Sequence, residues 1–110
     1  MTVRIAVRVR SDRIPEIRRD LRTNAARVVA KAANDIEGQA KSRAPVDTGF
    51  LKSSIQGRMI TPTHWRVTVG ASYGAYVEFG TRKMAAQPYF LPAIAAVAPV
   101  YQAAMRRLLS

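Results

Sequence analysis

The chain opens on an alternation. In VRIAVRV, residues 3–9, Val3, Ile5, Val7 and Val9 fall on one side and Arg4, Ala6 and Arg8 on the other. That period of two predicts a half-buried strand with a polar outer face. From Ile14 the period changes. Ile14, Ile17, Leu21, Ala25, Val28, Ala32, Ile36 and Ala40 recur at steps of three and four, the stripe of an amphipathic helix. Ser11 or Asp12 can cap it, Pro15 and Glu16 suit its first turn, and Pro45 forbids its continuation. The prediction is a helix over 13–44, roughly 45 Å long. For so small a chain that is long, and part of it is expected to bend or to extend beyond the core.

Residues 45–50, PVDTGF, read as a turn. Residues 51–60 and 64–71 then read as two strands joined by TPT, with Trp65, Val67 and Val69 alternating with Arg66 and Thr68 and Pro62 in the connecting loop. Tyr73, Tyr76 and Val77 fit a short helix stopped by Gly80. RKMAAQP follows as a loop, expected to be mobile. A final helix is expected from near Pro92, kinked or broken at Pro99. Residues 1–110 are thus predicted to form a single α+β domain, a small, mostly antiparallel sheet packed against one long N-terminal helix and a C-terminal helix. No repeat and no domain boundary is visible.

Composition adds mainly charge. Of the residues, 48% are hydrophobic, enough for a folded core. There are 18 Lys and Arg against 7 Asp and Glu, a net charge of +11. Nine of those 18 lie before position 32, opposed there only by Asp12, Glu16 and Asp20. Such asymmetry favours a polyanionic partner, usually nucleic acid, over a merely solvated basic surface. No cysteine is present, so disulfides and thiolate metal sites are excluded. No apolar run reaches the roughly 18 residues of a membrane span, and the charged start does not read as a signal peptide; synthesis in the cytosol is expected.

Asp47-Thr48-Gly49 is the triplet of aspartic proteases, but there an apolar strand leads into it. Here AKSRAPV, the end of the predicted helix, precedes it. His64 is the only histidine, and beside Trp65 at a strand start it reads as structural or exposed; with no cysteine a Cys-His pair is excluded, and the seven carboxylates show no metal-ligand spacing. No phosphate-binding glycine loop is present. The chain does not read as an enzyme, and no metal or cofactor is expected.

AKSRAPVDTGFLKSSI followed by GASYGAYVEFGTRKMAAQPYFLPA is similar to a family of small tailed-phage proteins. It resembles the neck and tail-completion family typified by gene product ten of the coliphage Hong Kong ninety-seven. That pattern is a helix ending in A-P-x-D-T-G-x-L-x-x-S-I, two strands, Y-x-x-Y-x-E-x-G-T, and Q-P-[FY] before the last helix. Ala44, Pro45, Asp47, Thr48, Gly49, Leu51, Ser54 and Ile55 match its first part. Tyr73, Tyr76, Glu78, Gly80, Thr81, Gln87, Pro88, Tyr89 and Phe90 match the rest. Phe50 departs from it, where a small or polar residue is frequent.

The resemblance implies a structural virion protein of the head–tail connector of a long-tailed phage. It implies a homo-oligomeric ring, expected to be sixfold, around the channel that genomic DNA crosses, touching other neck proteins or the tail tube. A tail terminator capping the tube is the alternative within that class, and a free basic nucleic-acid-binding protein the alternative outside it. The residues add detail. Pro45, Asp47, Thr48, Gly49 and Leu51 read as a structural corner, with Asp47 in an Asx turn and Gly49 at positive φ. Glu78 is expected to pair with an arginine of its own or a neighbouring subunit, or else to be solvated. TRKMAAQPYF is either an arm to the next subunit or an ordered loop packed by Tyr89 and Phe90. The candidate subunit interface is therefore Tyr76, Glu78, Phe79, Gly80, Thr81, Arg82, Lys83, Gln87, Pro88, Tyr89 and Phe90. Arg4, Arg8, Arg18, Arg19 and Arg22 are the candidates to face DNA or an acidic ring.

Overall fold

The apolar alternation of His64–Val69 makes this strand, β3, the centre of a three-stranded antiparallel sheet. Val67 and Val69 turn inward and are fully buried, while Arg66 and Thr68 face outward. Ile55–Thr61 (β2) lies on one side of it and Ala6–Arg10 (β1) on the other. These assignments come from a computed structural model that describes residues 5–10, 19–45 and 49–109. The predicted strand start at Val3 and Arg4 and the predicted helix start at 13–18 lie outside the described residues. Pro62 and Thr63 form the turn between β2 and β3, and a bulge between Met59 and Thr61 absorbs its register.

The inner face of the sheet is closed by α1 (Arg19–Arg43), which packs against β2 and β3 and runs beside α4 (Phe90–Leu109). Ala25, Val29, Ala32, Ala33, Ile36, Ala40 and Ala44 form the buried stripe. Most of them are alanines. A row of methyl groups lets the facing helix and sheet approach closely without an empty volume between them. At 25 residues, α1 is roughly 37 Å long.

Two starts and one expected break differ from the sequence prediction, each for a local reason. Residues Phe50–Ser53 form one helical turn, α2, instead of the start of a strand. Strand alternation from Leu51 would have put Ser53 into the core beside Leu51 and Ile55. The helical turn instead buries Leu51 and Ile55, four residues apart, and leaves Lys52 and Ser53 in solvent. α4 begins at Phe90, two residues before Pro92, because a carboxylate from outside the helix accepts its first N–H groups. Pro99 does not break α4. Ala95, whose carbonyl loses its partner there, sits with Pro99 on the exposed side, where water can replace the bond. Gly74–Phe79 forms the short α3, and Gly80 ends it as predicted.

Both edges of the sheet carry a side-chain stopper. On β2, the outward N–H of Gly57 donates to Glu37 Oε1 from α1. Glu37 Oε2 also takes the Lys41 ammonium at 2.9 Å. Partial burial opposes ionisation of this carboxylate, but the Lys41 hydrogen bond, the Gly57 N–H and the Lys41 charge outweigh it and hold its pKa below the ordinary value. On β1, the Tyr101 hydroxyl of α4 donates to the Arg10 carbonyl at 2.9 Å.

Candidate functional site

Two surfaces stand out, and the chain builds each from a different part of its pattern. The first is the outer face of the sheet. Arg8 of β1 lies opposite Arg66 of β3, and Arg66 lies opposite Arg58 of β2. Three arginines therefore form one row across all three strands, which are spaced by about 4.8 Å. Arg8 and Arg58 are exposed, Arg66 half-buried between them. They line a cleft of about 620 Å³ with Ile60, Thr68 and Gly70. The carboxylates whose side chains are described are engaged elsewhere: Asp35 with Lys31 at 2.7 Å, Glu37 with Lys41 and Gly57, and Glu78 at the start of α4. None of them reaches the row.

Like charges directly opposite on neighbouring strands destabilise a sheet. Arg66 has one on either side, so Arg66→Thr should stabilise the isolated protein by up to about 1 kcal/mol at low salt. Added salt should shrink the gain, because the repulsion is screened. Thermal melts of both proteins across a salt series check this; a loss of stability at every salt concentration would contradict it.

The row only partly coincides with the arginines expected from sequence. Arg8 belongs to it. Arg22 is exposed on α1, which covers the opposite face of the sheet, so the structure does not bring those two together. The backbone of Arg19 also lies in α1, while Arg4 and Arg18 lie outside the described residues. Arg58 and Arg66 were missed, although a signal existed. Both sit four residues from position 62 in the connecting turn, and Arg66 falls in the polar phase of its strand. Pairing the hairpin about that turn places them face to face.

The second surface is built by α3. Its inner side is a clasp. Glu78, 2% exposed, points at the first turn of α4. Its Oε1 accepts the N–H groups of Tyr89 at 3.1 Å and Phe90 at 2.7 Å, and its Oε2 that of Leu91 at 3.1 Å. In return the Tyr89 hydroxyl donates to the Gly74 carbonyl at 3.0 Å. A methyl group on Gly74 would meet that hydroxyl at 2.8 Å and Val69 Cγ1 at 2.7 Å, so a side chain there would push the clasp apart. Burial and the neighbouring charges of Glu78 and Tyr73 push the Tyr89 phenol up to about 12. Glu78 is thus neither solvated nor paired with an arginine among the described residues: it caps a helix. Tyr89 and Phe90 are also buried within the chain itself, so Glu78, Tyr89 and Phe90 offer no surface to a neighbour.

The outer side of α3 does. Tyr76 is 49% exposed and Phe79 64% exposed. Three residues apart, they share an exposed face of the helix, while Ala75 and Glu78 on the adjoining face are buried. The following loop folds back on α3 and is not an extended arm. Thr81 N–H donates to the Met84 carbonyl and Gln87 N–H to the Val77 carbonyl, each at 2.8 Å. Thr81, Arg82, Lys83, Gln87 and Pro88 remain exposed along it. At the predicted corner, Gly49 has φ 69° and Leu51 is buried, while Pro45 is half-buried. Asp47 and Thr48 lie outside the described residues.

Among the described residues, no group of three or more His, Cys, Asp or Glu is placed to hold a metal ion. No described helix is long and apolar enough to cross a membrane. The chain belongs to the HK97-gp10-like family, described as a bacteriophage tail component, whose model matches residues 11–80 of the 110. It is therefore a structural component of a phage tail, and its place is the virion. No curated protein and no solved structure shows significant similarity to it.

Proposed function

We propose that this tail component forms a homo-oligomeric ring at the head–tail joint of a long-tailed phage, around the channel that DNA crosses. The ring assembles in the host cytoplasm and joins or completes the tail. Six subunits match the symmetry expected of the tail tube it would meet. The observation that carries the reading is the outer face of α3. Tyr76 and Phe79 present aromatic surface on a helix that the Glu78–Tyr89 clasp holds rigid. Aromatic residues concentrated on a fixed element are the composition of a protein interface core. Met84, also exposed on the following loop, extends the same chemistry. A closed ring needs two different complementary patches per subunit, and this face supplies one of them.

Sedimentation velocity tests the proposal. The wild-type protein should sediment as a ring at assembly concentration. The double variant Tyr76→Ser, Phe79→Ser should stay monomeric with unchanged circular dichroism. Both side chains already face solvent in the monomer, so their loss should leave the fold intact. A wild-type protein that stays monomeric while shifting DNA in gels would instead favour the free nucleic-acid-binding reading.

A further inference from the structure

The arginine row faces away from everything the described chain can offer it. We propose that Arg8, Arg66 and Arg58 form a phosphate-binding row that grips the sugar–phosphate backbone of DNA without reading its sequence. The proposal rests on the ring reading for its setting, because the row then becomes the channel-facing contact of each subunit. It keeps Arg8 of the candidates read from sequence and puts Arg58 and Arg66 in place of Arg19 and Arg22 of α1.

Three observations select nucleic acid over an acidic protein. First, composition separates the two surfaces. The cores of protein interfaces are poor in charge and rich in aromatics. The α3 face fits that description, but the outer sheet face, formed by residues such as Ala6, Gln56, Ile60 and Thr68 around the row, carries no Phe, Tyr or Trp. Nucleic-acid interfaces are polar and strongly positive. Second, a second copy of the chain has little to offer the row from its described carboxylates: Glu78 is buried, Glu37 already holds the Gly57 N–H and Lys41, and only Asp35, in an exposed pair with Lys31, is accessible. Third, all three positions are arginine. The guanidinium fork meets phosphate oxygens in pairs, which suits a repeating backbone. With no Phe, Tyr or Trp beside it, and only His64 at the end of the same face, the row has the parts for positioning and few for stacking or reading bases.

The test is the salt dependence of binding to a short labelled duplex of arbitrary sequence, read by fluorescence anisotropy. Each neutralised phosphate contributes about 0.9 to the slope of log K against log salt. The triple variant Arg8→Gln, Arg58→Gln, Arg66→Gln should therefore lower the slope by about 2–3. A control that removes the same charge from the helices, Arg27→Gln, Arg43→Gln, Arg106→Gln, should lower it by less than about 1. Equal losses in the two triples would overturn the proposal, since binding would then follow net charge alone. So would an unchanged DNA slope in the row variant combined with lost binding of a hexaglutamate peptide, which would assign the row to an acidic protein. Sedimentation of the same samples keeps the two readings apart. A row variant that forms rings but has lost the slope supports the row. A wild-type protein that never forms rings yet shows the slope difference overturns the ring alone.

Discussion

Glu78→Leu should destabilise the protein by about 3–5 kcal/mol and bring it close to unfolding at physiological temperature. In the wild type, one carboxylate satisfies the N–H groups of Tyr89, Phe90 and Leu91 at a helix start that no water reaches easily, since Tyr89 and Phe90 are buried. Leucine fills the space and accepts nothing. Each orphaned buried donor then costs about 1–3 kcal/mol, and the helix loses its cap as well. Glu78→Gln should cost roughly half as much, because its amide oxygen still serves Tyr89 and Phe90 while its NH2 group confronts Leu91 N–H. Urea denaturation gives both values, and a Glu78→Leu protein as stable as the wild type would remove the clasp from the account. The same glutamine should also lower the Tyr89 titration from about 12, since one of the charges that raises it is gone. The phenol is neutral in the folded state to higher pH than in the unfolded state. Its contribution is therefore full below pH 10, the unfolded value, and is lost as pH rises toward 12. In Glu78→Gln that alkaline loss should be smaller.

Gly80→Ala should cost about 3 kcal/mol or more, and Gly49→Ala only about 1 kcal/mol, although both glycines have positive φ. Gly80 sits at φ 78°, ψ 173°, a region that essentially only glycine enters. A methyl group there would also meet the Ala86 nitrogen at 2.8 Å and the Met84 carbonyl oxygen at 2.9 Å. Those are backbone atoms, and they cannot rotate aside. The loop that folds back on α3 would have to open, which would also loosen the support of Tyr76 and Phe79. Gly49, at φ 69° and ψ −18°, lies near the left-handed helical region, and nothing stands within 4 Å of a methyl group there. Its cost is the backbone term alone, and Asn should reduce it further. Thermal melts of the two alanine variants check the contrast. Equal shifts would show that the packing of the loop on Gly80 contributes nothing.

Much of this fold was legible because period and position agree. The α1 stripe from Ala25 to Ala40 could be read from its steps of three and four, and Gly80 as a helix stop from the pattern before it. What was not legible depended on long-range contacts. Nothing local distinguishes FLKS as a helical turn from the first residues of a strand; the deciding fact is that Leu51 and Ile55 share one core. Glu78 shows the limit more plainly. An acid among Tyr76, Val77 and Phe79 in a basic chain invites an arginine partner, yet its partners are backbone groups 11 to 13 residues further on. No charge pattern records them. The arginine row lies between these cases, visible only after the hairpin is paired and β1 is laid beside it.

The stoppers on the two sheet edges bear on how such a protein can be kept in a crowded cell. A three-stranded sheet with two open borders is a template for endless strand-by-strand growth. Here Glu37 occupies a backbone donor on one border and Tyr101 a backbone acceptor on the other. Each stopper removes one of the groups an incoming strand would need, which works against strand-by-strand growth. In the proposed ring, growth would then fall to side-chain surfaces, whose geometry can close on itself and so fix how many copies take part.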